Sequence, residues 1–135
     1  MSLFSHRPDD LGITNGQLKK CPSTPNCVGS WESPDDGEHF IAPLSVPSSL
    51  EKPMAKLREV LNSLPRTTIV SDTDDYLHVE FTTALMRFVD DVEFQWLPSE
   101  QVIHVRSASR IGRSDLGTNR TRVEKIRKLW ESALN

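Results

Sequence analysis

The segment from Phe88 to Arg122 concentrates side chains that could do chemistry. It places a group of carboxylates before a series of arginines that are spaced among Ser, Ala and Gly residues. The carboxylates belong to Asp90, Asp91 and Glu93, and the arginines are Arg106, Arg110, Arg113, Arg120 and Arg122. Guanidinium groups hold carboxylates or phosphates in bidentate geometry. The segment is therefore expected to form either an internal network of ion pairs or an anion-binding site.

Two strand-like segments add titratable side chains to this set. His78 and Glu80 alternate with apolar residues in segment 76–83, and His104 does so in segment 101–107. Neighbouring carboxylates raise one another's pKa, and a histidine titrates near neutral pH. The residues that acid–base catalysis would use are therefore His78, Glu80, Glu93 and His104. In the competing interpretation, the carboxylates and arginines only neutralise one another and fix the sheet to the following loop.

The residues expected to bind a ligand are mainly cationic or hydrogen-bonding, and they are Asp90, Asp91, Arg106, Arg110, Arg113, Asn119 and Arg120. Gly112 and Gly117 loosen the loop before the last helix, whose first amide groups could bind an anion. His78, His104, Glu80 and Glu93 could bind zinc or iron, but they form no compact motif and we assign no metal. No Walker, Rossmann or Gly-x-Ser-x-Gly pattern occurs. The sequence predicts a small anionic ligand and names no cofactor.

Two cysteines, Cys21 and Cys27, lie in the segment CPSTPNC. Their spacing is too short for two zinc half-sites, and no Cys or His pair lies close by. The intervening prolines should bring the two sulfur atoms together, and a disulfide is sterically allowed. A reducing cytosol favours two free thiols, which is our expectation, with a redox-labile disulfide or a reactive thiol as alternatives.

Length and charge restrict the class of protein. At 135 residues the chain is expected to form one domain, and its formal charge of −3 argues against specific nucleic-acid binding. No apolar run is long enough to span a membrane. The N-terminus lacks the apolar stretch of a signal peptide, and Asp9 and Asp10 suit a transit peptide poorly. We therefore expect a cytoplasmic protein, and the sequence does not predict its oligomeric state.

Hydrophobic spacing predicts the elements that position these side chains. Residues 1–48 are rich in Pro, Ser, Asp and Gly, and they predict an extended arm with one short strand at 39–41. The arm should pack on a core domain of residues 49–135. Its first helix has its apolar stripe at Leu50, Met54, Leu57, Leu61 and Leu64. Its last helix starts near Thr118 or Asn119 and has its apolar stripe at Val123, Ile126, Trp130 and Ala133.

Between the helices, segments 67–71, 76–83, 91–97 and 101–107 have the composition or alternation of strands. The fold class predicted is α+β, a two-layer sandwich in which two helices cover one face of an antiparallel sheet of about four strands. The other face of the sheet would be free for chemistry or a partner.

The hydrophobic pattern also suggests how the last two strands pair. With a loop at 97–100, the core-facing pairs are Phe94 with Ile103 and Val92 with Val105. The polar pairs are then Glu93 with His104 and Asp91 with Arg106. The preceding strand would place Glu80 beside Glu93.

Four segments together resemble the domain of unknown function family 1499, and they are CPSTPNCVGS, DDYLHVEF, FVDDVEF and RSASRIGRSDLGTNRTRVE. The resemblance extends from Leu11 into the last helix. It supports the location of the site and implies no activity, because none is established for the family. At Arg113 the family pattern implies an aromatic residue, usually Tyr. If that position lines a pocket, the resemblance implies a more anionic ligand here, or none.

Overall fold

The computed structural model of the protein describes residues 6–111 and 117–135. The predicted α+β class is confirmed. The strands are β1 (Ile13–Thr14), β2 (Gln17–Leu18), β3 (Cys27–Gly29), β4 (Leu44–Ser45), β5 (Thr67–Asp72), β6 (Tyr76–Thr82), β7 (Val89–Leu97) and β8 (Val102–Ser109). The helices are α1 (Pro53–Asn62), which follows β4, and α2 (Thr118–Ala133), which follows β8.

The main sheet has six strands, and the expectation of about four was wrong. Its order is β3-β8-β7-β6-β5, and β4 pairs with a second stretch of β8. All of these strand pairs are antiparallel. The two additional strands come from the predicted arm, whose prolines conceal such short segments. The strand predicted at 39–41 is reduced to a parallel bridge between Phe40 and Gly29.

The predicted strand register was wrong by two residues. Phe94 pairs with Val105 and Glu93 with Arg106, instead of with Ile103 and His104. Likewise, Asp91 pairs with Ala108 instead of Arg106, and Glu80 pairs with Asp91 instead of Glu93. A shift by two keeps every side chain on its predicted face, so the hydrophobic pattern cannot detect it. The turn decides the register, since residues 98–101 form it and Gln101 takes a φ of 54°.

The hydrophobic core combines residues of both helices with residues from one face of the sheet. Leu77, Val79, Val92, Phe94 and Val105 supply the sheet side and are at most 1 % exposed. The helices supply the other side with Met54, Leu57, Leu61, Val123, Ile126 and Trp130. These six residues confirm the predicted stripes, whereas Ala133 lies outside the core cluster. Leu50 and Leu64 flank α1 as partly buried neighbours. Neither helix is long and apolar enough to cross a membrane.

The arm covers the polar face of the sheet, which the sequence had left free. The backbone N–H of Gly12 donates to Glu93 Oε2 at 2.7 Å, and Gln95 Nε2 donates to the carbonyl of Gly16 at 2.8 Å. As a result Glu93 is 0 % exposed and Asp91 is 2 % exposed. The polar side chains of β6, β7 and β8 therefore form a second, buried layer beneath the arm.

Candidate functional site

Asp91 is the centre of an ion-pair network on the polar face. His78 Nε2 lies 2.7 Å from Asp91 Oδ1, and Arg110 Nε lies 2.8 Å from Asp91 Oδ2. Burial opposes the charge of Asp91, but the hydrogen bonds from Arg110 and His78 outweigh it and lower the pKa of Asp91. The antiparallel pairing of β6 with β7 produces this contact, since it places Glu80 directly opposite Asp91 and His78 two residue pairs away on the same face.

Glu80 extends the network toward the arm. Its Oε2 atom accepts hydrogen bonds from Arg7 Nε and from Arg110 Nη2, both at 2.7 Å. The bond from Arg7, followed by that from Arg110, lowers the pKa of Glu80. Arg110 thus bridges two carboxylates, and its own pKa is raised chiefly by Asp91. This part of the polar face is the closed lattice that the structural interpretation requires.

Glu93 lies in the neighbouring row and is fully buried. Tyr76 donates its hydroxyl proton to Glu93 Oε2 at 2.5 Å, and Gly12 donates to the same oxygen. Burial and the negative charge of Glu93 both raise the pKa of Tyr76, which therefore stays a neutral donor. The other carboxylate oxygen, Oε1, has no hydrogen-bond partner.

Arg106 is the cation opposite this unpartnered oxygen, and it is incompletely paired itself. Its Nη1 lies 3.7 Å from Glu93 Oε1, beyond hydrogen-bond distance, and its Nε has no hydrogen-bond partner. Arg106 is nevertheless only 5 % exposed. A buried donor without a partner costs about 1–3 kcal/mol, more when charged, so this guanidinium is unusual in a folded protein.

A cavity of about 570 Å³ lies beside Arg106, between the arm and the sheet. Its charged lining consists of Lys19, Lys20, Arg106, Arg110 and Asp91. Lys19 pairs with Asp10, and Lys20 donates to the carbonyl of Trp31. Of the predicted site residues, the structure thus brings Asp91, Arg106 and Arg110 together at one cavity.

The two cysteines form a disulfide next to this cavity. Their proximity was predicted, but the sulfur atoms are bonded at 2.02 Å, contrary to the expectation of two free thiols. Cys21 lines the cavity, whereas Cys27 is 1 % exposed and pairs with Ala108 in the sheet. The disulfide therefore fixes a wall of the cavity to the edge of the main sheet.

His104 lies in a separate environment from His78. Its ring stacks on Trp31 with 3.9 Å between the centroids, and its Nδ1 lies 2.8 Å from Ser30 Oγ. Burial lowers the pKa of His104, although Glu100 acts against it. The predicted neighbour of His104 was Glu93, but Gln95 occupies that position because of the two-residue shift in register.

The other predicted ligand residues that the structure describes lie away from this cavity. Asp90 points to the helix side, where its Oδ2 lies 2.7 Å from Arg122 Nη2. Asn119 is fully buried and accepts a hydrogen bond from Ser107 Oγ at 2.6 Å. Arg120 donates to backbone carbonyls, including that of Phe40 at 2.8 Å. These three residues connect α2 to the sheet and the arm, while Gly112 and Arg113 lie outside the described residues.

One cluster of the described residues has the spacing of a cation site. Ligand atoms of His78, Glu80 and Asp91 all lie within 4.8 Å of one another. Two guanidinium groups, those of Arg7 and Arg110, already hydrogen-bond these carboxylates. A metal ion would have to displace or face that positive charge, so the donor set does not fit a resident metal ion.

Sequence reasoning missed the contribution of the arm. Lys19, Lys20 and Cys21 line the cavity, and Tyr76 holds Glu93, although none of the three arm residues was assigned to the anion site. The adjacent pair Lys19–Lys20 was a visible signal. Nothing in its spacing connects it to Arg106 and Arg110, which lie more than 80 residues away along the chain.

The comparisons with known proteins identify a family and no activity. The model of one family, described as a protein of unknown function (DUF1499), matches residues 17–129. The match includes Cys21, Asp91, Arg106 and Arg110, and therefore most of the cavity lining. No curated protein matches the chain.

Proposed function

The chain belongs to the DUF1499 family, whose description assigns no activity, and we propose from its site that the protein binds a small anion in the cavity beside Arg106. The anion would be a carboxylate or a phosphate ester. The observation that carries this proposal is the buried Nε of Arg106, which has no protein partner and belongs to a side chain that lines the cavity.

The charge of the cavity supports an anionic ligand. Four cations and a single carboxylate belong to its described lining. Arg110 already neutralises Asp91 and Glu80, so it contributes little free charge. Arg106 has Glu93 as its counter-ion, but at 3.7 Å and without a hydrogen bond. A ligand oxygen bonded to the Arg106 guanidinium would gain a charge-assisted hydrogen bond and offset the cost of burying this charge.

The dimensions of the cavity support a small molecule. Ligand pockets typically enclose about 300–1,000 Å³, and this one encloses about 570 Å³. Leu11, Pro8 and Pro22 supply apolar lining next to the cations. An organic acid with a short apolar portion would therefore suit the cavity better than a bare inorganic ion.

A thermal-shift titration with inorganic phosphate, sulfate and citrate tests this proposal. A ligand that binds only the folded state stabilises it by about 2.7 kcal/mol at roughly 100 times its Kd, so the melting temperature should rise. Sodium chloride at equal ionic strength controls for screening. If none of these anions raises the melting temperature more than chloride does, the proposal is wrong.

The variant Arg106→Lys tests the residue assignment. It keeps the charge but removes the Nε–H donor and the planar fork, so anion affinity should fall about tenfold. Arg58→Lys is the matched control, because Arg58 makes a partly exposed pair with Asp72 and does not line the cavity. Equal responses of the two variants to the anion would remove Arg106 from the site.

An enzymatic version of the proposal uses the titratable side chains of the polar face. Glu80 or Glu93 would act as the general base and His78 or His104 as its proton partner. The observation that favours a second, non-catalytic function is the saturation of this network, since Arg110 is held by Asp91 and Glu80. In that function the protein is an assembly or scaffold protein, and the network only stabilises its fold. It would not convert any anion that it binds.

A further inference from the structure

We propose a second site that binds the phosphate of an anionic phospholipid headgroup and thereby attaches the protein to a lipid surface. The site is a cavity of about 320 Å³ between the segment after α1, the end of β6 and the start of α2. It lies beside the exposed loop that joins β6 to β7. It shares no lining residue with the cavity at Arg106, so the two proposals are independent.

The polar lining of this second cavity suits a phosphate group. Its cations are Arg66, Arg122 and Lys125, and its hydroxyl donors are Thr82, Thr83, Thr118 and Thr121. Arg122 is paired with Asp90 at 2.7 Å, which leaves Arg66 and Lys125 as net positive charge. Cations combined with hydroxyl donors are the groups that proteins use to hold phosphate oxygens.

The loop beside the cavity carries an exposed apolar tip. Leu85 is 89 % exposed and Met86 is 61 % exposed, although the burial of large apolar side chains is energetically favourable. Two hydrogen bonds close the base of the loop, from Thr83 N to the Phe88 carbonyl at 2.8 Å and from Phe88 N to Thr83 Oγ at 2.9 Å. The base of the tip is therefore fixed to strands β6 and β7, and Thr83 also lines the cavity.

The small apolar tip and the cations beside it together favour a lipid surface over a protein partner. Two apolar side chains are far too small for a stable protein interface, which buries about 800 Å² on each partner. They are sufficient for shallow insertion at a membrane interface when cations lie next to them. Arg87 at the tip, with Arg66 and Lys125, adds positive charge to a protein whose formal charge is −3. This local charge would face the anionic headgroups while Leu85 and Met86 enter the acyl boundary.

Co-sedimentation of the full chain with lipid vesicles tests the proposal. Vesicles of phosphatidylcholine with phosphatidylglycerol should retain the protein, and vesicles of phosphatidylcholine alone should not. The double variant Leu85→Ser, Met86→Ser should bind the anionic vesicles about tenfold more weakly, since it loses the inserted apolar area. Ile13→Ser is its control, because Ile13 is also exposed but lies on the β1–β2 hairpin.

Charge is tested by a second pair of variants. Lys125→Gln should weaken binding on the order of fivefold, as expected for one cation at an anionic surface, and Lys52→Gln should not. All five substituted side chains are exposed, so folding should survive and circular dichroism verifies it. Absence of binding to anionic vesicles, or equal binding by the tip variant, would overturn the proposal. Binding of free inorganic phosphate without vesicle binding would show a soluble-phosphate site instead.

Discussion

Asp91 and Arg106 occupy adjacent rows of the same sheet face, yet their environments give them different roles. Asp91 accepts hydrogen bonds from His78 and Arg110, so its charge is fully compensated. Arg106 has a carboxylate nearby but no hydrogen bond to it. The nitrogen–oxygen distance is 3.7 Å in the Arg106–Glu93 pair and 2.8 Å in the Arg110–Asp91 pair. This difference of about one ångström separates a candidate ligand site from a structural ion pair.

The substitution Asp91→Asn should destabilise the protein by about 3 kcal/mol. It leaves the buried Arg110 and His78 facing a neutral amide, and breaking a buried charge pair costs about 3–5 kcal/mol. The measurement is the free energy of unfolding from urea denaturation. Asp72→Asn is the control, since its pair with Arg58 is partly exposed and should contribute less than about 1 kcal/mol.

Two outcomes would change the role of Asp91. If Asp91→Asn costs no more stability than Asp72→Asn, Asp91 is not the centre of a structural network. If the variant keeps its stability but loses the phosphate-induced rise in melting temperature, Asp91 belongs to the anion site. A parallel loss of both favours the structural interpretation.

At the scale of elements, the arm and its disulfide form one side of the first cavity. The bonded cysteines hold the segment from Cys21 to Cys27 in place, and Lys19 and Lys20 precede it directly. The β1–β2 hairpin completes the cover through the hydrogen bond from Gly12 to Glu93. The positions of Lys19 and Lys20 therefore depend on the arm, which also supplies Val28, Ile41, Leu44 and Val46 to the hydrophobic core.

The free energy of unfolding of the double variant Cys21→Ser, Cys27→Ser should be about 2 kcal/mol lower than that of the parent protein. Closing a short loop restricts the unfolded chain by roughly that amount. Anion affinity should fall as well, because the cavity wall loses its attachment to the sheet. Urea denaturation and the phosphate titration measure the two effects. Equal stability of variant and parent would contradict a structural role for the disulfide.

The redox state itself is checked by thiol titration of the denatured protein, with and without prior reduction. We expect no reactive thiol before reduction and two after it. Two thiols in the freshly purified protein would contradict the disulfide and agree with the expected cytoplasmic location. A disulfide persists more readily in an oxidising compartment, so a stable bond would argue against that location.

At the scale of the whole molecule, the shifted pKa values make the stability of the fold depend on pH in two ranges. Burial lowers the pKa of His104, so the unfolded chain binds that proton first as the pH falls below about 6.5. The lowered pKa values of Asp91 and Glu80 add stability that is present above about pH 4 and is lost below it. His39 acts in the opposite direction, because its hydrogen bond to the Thr24 carbonyl, together with Asp36, raises its pKa.

Two histidine variants separate these contributions. As the pH falls from about 7 to about 5, His104→Gln should gain stability relative to the parent, and His39→Gln should lose it. Urea denaturation at a series of pH values provides the measurement. The same slope for both variants would show that the pKa directions assigned to the two histidines are incorrect.

The distribution of cations also bears on nucleic acid. Arg110 and Arg122 are paired with carboxylates, and Arg120 and Arg127 donate to backbone carbonyls. Few of the arginines noted in the sequence are thus available for a phosphate backbone, which agrees with the formal charge of −3. The absence of specific nucleic-acid binding stays a prediction.

The sequence by itself determined the two helices and the four long strands, and which way their side chains point. The apolar spacing placed Val123, Ile126 and Trp130 in the core, and the alternation in β7 separated Phe94 from Glu93. Both patterns are local, since a helix repeats every 3.6 residues and a strand every two. The same local information assigned Asp91 and Arg106 to one face of the sheet.

Only the tertiary structure decided how these side chains meet. A strand register that is shifted by two residues preserves every face, so the turn at Gln101 had to select the partners of Glu93 and Asp91. The arm has no periodicity, and its contacts with Glu93 and Gln95 span 81 and 79 residues. Such long-range contacts bury the polar face and leave Arg106 Nε without a hydrogen-bond partner. Hydrogen-bond geometry depends on positions in space that residue spacing does not encode.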